Sequence, residues 1–85
     1  MSDVGMVHGM VVDCDGRPLA QAMIVVVGGT APVPEIALVA DNEGRFGLRL
    51  PHGRFTLEAQ GEGGATGRIT IDVSGPSQSA RIEVG

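Results

Sequence analysis

The chain contains no lysine, no tyrosine and no tryptophan, one cysteine, and two aromatic residues, Phe46 and Phe55. Each shortage excludes something. Without Tyr or Trp there is no platform on which nucleic-acid bases could stack. Without lysine, the internal Lys–Asn or Lys–Asp bonds that stiffen some adhesin domains cannot form. The six basic residues are arginines scattered singly among ten carboxylates, for a formal charge of −4. Neither nucleic acid nor an anionic membrane surface is therefore an expected partner. Cys14 has no second cysteine to pair with inside the chain. No window approaches the roughly 20 apolar residues of a membrane span, so no membrane insertion is expected. The first residues lack the basic start and apolar run of a signal peptide, and the chain as written is expected to be soluble and cytoplasmic. That expectation lapses if the sequence is a domain of a longer secreted protein. With 85 residues there is room for a single domain over 1–85, and none for an interdomain cleft or a dinucleotide fold.

What is present is alternation. Apolar and polar residues change places with period two along most of the chain, and helical spacing is nowhere sustained. The first strand is expected over 4–13, with Met6, Met10 and Val12 on one face and Val7, Gly9 and Val11 on the other. Asp13-Cys14-Asp15-Gly16-Arg17-Pro18 is dense in turn formers. The apolar run 22–27 reads as a central strand covered on both sides. Pro32 and Pro34, which lack a ladder donor, place the longest loop at 28–35. A strand over 36–40 precedes the turn Asp41-Asn42-Glu43-Gly44. Beyond it, Phe46, Leu48 and Leu50 share one face, Phe55, Leu57 and Ala59 another, then Ile69, Ile71 and Val73, and finally Ala80, Ile82 and Val84. Seven short strands separated by Gly- and Pro-containing turns predict an all-β fold, an antiparallel Greek-key sandwich of two sheets. Both phenylalanines belong in its core.

Two stretches carry a family likeness. The first is Val7-x-Gly9-x-Val11-x-Asp13-x-x-Gly16-x-Pro18-Leu19-x-x-Ala22-x-Ile24-x-Val26. The second is Asp41-x-x-Gly44-x-Phe46-x-Leu48-x-Leu50-Pro51-x-Gly53-x-Phe55-x-Leu57. Together they resemble the carboxypeptidase regulatory-like domain, a transthyretin-like sandwich, over about residues 6–84. Ala40 stands where such domains usually carry Thr, and Phe55 where Tyr is common. The resemblance implies a non-catalytic module: an accessory domain, spacer or docking surface.

Three kinds of chemistry deserve weighing against that reading. His8 and His52 could lie at one end of the sandwich with Glu35, but two histidines make an incomplete zinc site. Val7-His8-Gly9 is superficially similar to a stretch of the 5-hydroxyisourate hydrolases of the same fold, whose Tyr-Arg-Gly-Ser tail is absent here. Cys14, flanked by Asp13 and Asp15, is a poor nucleophile candidate. Asp13, Asp15, Asp41 and Glu43, with Glu62, could offer oxygen ligands to calcium if their turns share one end. The simpler account is that Asp begins such turns by accepting hydrogen bonds from the backbone. No catalytic residue and no cofactor is expected.

The expected function is structural: docking to a protein partner, or self-association. The motive is a surplus of apolar residues on the first two strands, since one small core absorbs only one face of each. Met23, Val25 and Val27 oppose Ala22, Ile24 and Val26, and are the expected interaction surface.

Overall fold

A computed structural model describes residues 4–29 and 37–85, the side chain of Glu62 excepted. Seven strands follow one another: β1 (Val4–Asp13), β2 (Met23–Gly29), β3 (Ala37–Val39), β4 (Arg45–Pro51), β5 (Gly53–Gln60), β6 (Thr66–Val73) and β7 (Ser77–Val84). A short 3-10 turn, Glu62–Gly64, precedes β6. Most of the expected loop over 28–35, together with Glu35 and Ile36, lies outside the described residues.

The strands form two sheets, β4-β1-β7 and β3-β2-β5-β6, stacked as a sandwich. All pairings are antiparallel except one. β1 and β7 run in the same direction, from Met6 opposite Ser77 to Asp13 opposite Val84. The all-antiparallel expectation is corrected at that ladder. Period-two patterning sets which face a strand buries; it carries no information about the direction of its neighbour.

The inner faces hold the core. Val7, Val11, Ile24, Leu50, Phe55, Leu57, Ala59 and Ile82 are fully buried, with Phe46 and Leu48 nearly so. Among the described residues no polar or charged side chain is buried. Each aromatic lies across a glycine of the adjacent strand: Phe46 pairs with Gly9, and Phe55 with Gly29. A Cβ on either glycine would collide with the ring beside it. The glycines are what lets two large rings lie flat in so thin a core.

Two strand limits differ from the sequence expectation. β7 starts at Ser77 rather than Ala80, because its first residues pair with β1 although their side chains are small and polar. β2 continues through Gly28 and Gly29 after a register shift between Val26 and Gly28. Val27 is the extra residue of that bulge, and the shift turns Gly29 inward beneath Phe55. The first strand's surplus is partly absorbed: Val12, on the outer face, is buried where Pro18 bridges to it. β2 is not covered on both sides, contrary to expectation. Ile24 on its inner face is buried, as is Ala22 just before it, but on its outer face Met23 and Val27 are exposed and Val25 is half-buried.

Candidate interaction surface

The outer face of the four-stranded sheet divides into two halves. On β5 and β6 it is polar and internally paired. Arg54 meets Asp72 at 3.1 Å, the Thr56 and Thr70 hydroxyls stand 3.1 Å apart, and both Nε and Nη2 of Arg68 donate to Glu58 Oε2. Those bonds, and one from the Gln60 amide, hold the Glu58 carboxyl below the usual range. On β2 and β3 the same face is apolar. The ladder places Met23 opposite Val39 and Val25 opposite Ala37, and the bulge lifts Val27 outward beside them. Met23, Val27 and Val39 are 43%, 46% and 60% exposed, the large apolar residues most open to solvent among those described. The expected surface thus gains Ala37 and Val39, which alternate in burial with the half-buried Leu38 but lie in an unbroken apolar run of the sequence that gave no signal for them.

The acidic turns are built on backbone hydrogen bonds. Asp13 Oδ1 accepts from the backbone N–H of Asp15 and of Arg17, each at 2.9 Å. Asp41 Oδ1 does the same for Glu43 (2.8 Å) and Arg45 (2.9 Å). The Arg45 and Glu43 amides hold the Asp41 carboxyl below its ordinary range. Glu43 itself pairs with Arg45 at 3.1 Å. Glycines at φ 82° (Gly16) and 75° (Gly44) complete both turns. The two turns do share one end of the sandwich, joined through Val11 N–H to Gly44 O at 2.7 Å and Gln21 N–H to Asp41 O at 3.1 Å. Among the described residues, however, no three His, Cys, Asp or Glu side chains come together as a group able to hold a metal ion. Asp13 and Asp41 each anchor a turn through these backbone hydrogen bonds, with Asp15 and Glu43 inside the turns.

The histidines are also apart. His8 sits mid-strand on the outer face of the three-stranded sheet, opposite Gly47 and Ser79. His52 follows Pro51, which lies opposite Val4 at the strand's far end. The exposed Cys14 packs against Gly85 at the rim of an open concavity of about 720 Å³. Leu19, Ala22, Ala65 and Val84 line this hollow with Gln21 and Gln60. Gln21 stands at φ 59°, the one non-glycine residue at positive φ among those described.

The family model of the carboxypeptidase regulatory-like domain matches residues 6–84. The chain belongs to that family. No curated protein matches this carboxypeptidase regulatory-like chain. Among solved structures, it is similar to the crystal structure of S.CueP, with a TM-score of 0.74, 18% identity, and coverage of 100% of this chain and 63% of that one. It is also similar to the 3-chlorocatechol 1,2-dioxygenase of Rhodococcus opacus 1CP, with a TM-score of 0.73, 14% identity, and coverage of 100% and 60%. At those identities the likeness is one of fold. The regulatory-like domain spans about three fifths of the length of each of these chains.

Proposed function

We propose that this carboxypeptidase regulatory-like domain is a non-catalytic docking module, that the β2/β3 half of the outer face is its contact surface, and that a second copy of the chain occupies it. The observation that carries the reading is the pairing of Met23 with Val39 and of Val25 with Ala37 on an open face. Those positions and Val27 hold no charge in a chain of net −4, so two copies approach with least repulsion through this patch. A two-fold arrangement places the patch on itself, the commonest way for identical chains to associate. Five side chains supply only part of the roughly 800 Å² per partner of a standard interface. The association is accordingly expected to be weak and reversible.

Sedimentation velocity over a wide concentration range tests this. The expected result is a concentration-dependent dimer that Met23→Glu and Val39→Glu each abolish while leaving the circular dichroism spectrum unchanged. A monomer at every concentration, indistinguishable from the Glu variants, overturns self-association. If that monomer retains a heterologous protein partner which Met23→Glu releases, the surface stands and the second copy does not.

A further inference from the structure

We infer that Met6, His8 and Met10 form a binding site for a soft monovalent metal ion, Cu(I) or Ag(I), on the outer face of the three-stranded sheet, away from the docking surface. The three residues alternate along β1 with the buried Val7, Gly9 and Val11, so their side chains project from the same face. His8 is exposed, and both methionines are half-buried. Same-face neighbours on a strand are about 7 Å apart, and a thioether on three rotatable bonds can lean over that interval. Two sulfurs and one imidazole nitrogen can therefore converge above His8.

The neighbouring strands leave space beside His8. His8 lies between Gly47 and Ser79, and nothing stands within 4 Å of where a Cβ on Gly47 would be. Met6 lies between Arg49 and Ser77, and Met10 between Arg45 and Arg81.

The donors select the ion. Thioethers favour Cu(I), and imidazole binds it as well. Calcium and magnesium require oxygen ligands, which these three side chains do not have. Of the three flanking arginines, Arg45 is paired with Glu43; Arg49 and Arg81 add a charge criterion. At equal distance they repel a divalent ion twice as strongly as a monovalent one. The arginines oppose every cation, so the neutral soft donors carry the selection, and the charge acts only to disfavour Zn(II) more than a monovalent ion.

The site is tested on the full chain carrying Cys14→Ser, which removes the one thiol able to capture these metals independently. Ag(I) is added as a redox-stable probe, and Cu(I) is titrated without oxygen against a chromophoric Cu(I) chelator. One equivalent is expected to bind. It should shift the methyl resonances of Met6 and Met10 and the ring resonances of His8, leave Met23 unmoved, and raise the melting temperature. Met6→Leu with Met10→Leu keeps the side-chain volume and is expected to weaken binding at least tenfold and to remove the thermal shift. Unchanged affinity in the double Leu variant overturns the site. So does equal perturbation of Met23, binding that vanishes with Cys14→Ser alone, or displacement of the bound ion by equimolar Zn(II).

Discussion

The ring of Phe46 rests on Gly9, and that of Phe55 on Gly29, so each aromatic's fit depends on a hydrogen atom in the strand beside it. Truncating Phe55 to Ala leaves a hole in a core with no buried polar side chain among the described residues, and is expected to cost about 3–5 kcal/mol, read from the denaturation midpoint. The converse change is also harmful. Gly9→Ala inserts a methyl into the Phe46 ring and should cost about 1–3 kcal/mol. Phe46→Leu leaves space for that methyl, so the double variant is expected to be more stable than the sum of the two losses implies. Additivity in this double-mutant cycle would show that the ring and the glycine do not press on one another.

Asp41 acts through its charge as well as its shape. Its carboxyl is held below the usual range by the Arg45 and Glu43 amides, and that of Glu58 by Arg68 and Gln60. A carboxylate whose folded pKa is depressed stabilises the fold above its unfolded value, about pH 4, and that contribution disappears as pH falls through the lower folded value. Melting temperature is therefore expected to drop on acidification below about pH 4. Asp41→Asn keeps an oxygen acceptor for both amides but no charge, and should flatten part of this acid limb. Asp41→Ala should lower stability across the whole pH range. An acid limb identical in wild type and Asp41→Asn would remove Asp41 from the account.

At the scale of elements, the turns behave as local structure. One oxygen of each of the Asp13 and Asp41 carboxylates already accepts two backbone N–H bonds, and among the described residues no three such side chains gather, so millimolar calcium is expected to leave the melting temperature unmoved. A rise of several degrees that Asp13→Asn with Asp41→Asn abolishes would return the acidic turns to candidacy.

The strands show where sequence reading succeeds and stops. β4 and β5 were legible to within a residue or two, because Phe46, Leu48 and Leu50, and Phe55, Leu57 and Ala59, alternate against polar partners. Their phase is visible. In β2 it is not. A run of valines followed by glycines reads the same with or without an inserted residue, so the bulge at Val27 left no mark, and Gly29 looked like loop rather than a bed for Phe55. The first residues of β7 join the sheet through their backbone while their side chains are polar. Alternation is blind to that. Met23, Val25 and Val27 were recognisable as an outer row, whereas the contribution of Ala37 and Val39 depended on which strand β3 would join. Gln21 carried no warning of its left-handed backbone, since neither Gly nor Asn marks the position. Its N–H bond to the Asp41 carbonyl helps hold it there.

Considered whole, the molecule is elongated, 40 × 19 × 16 Å, and its first and last strands lie side by side in the same direction. β1 therefore enters at one end of the long dimension and β7 leaves toward the other. A tether attached at the start of β1 and another at the end of β7 would draw the two strands past each other lengthwise. The hydrogen bonds between them would share the load instead of breaking in turn. With handles at Val4 and Ser77, both near the same end of that ladder, the strands would instead peel apart one bond at a time. Single-molecule pulling is expected to require a clearly larger unfolding force with handles at Val4 and Val84 than with handles at Val4 and Ser77; equal forces would mean that the β1–β7 ladder does not bear the load. The direction of one strand pair thus predicts a fold that is stiff when drawn along its length and weak when opened from one end.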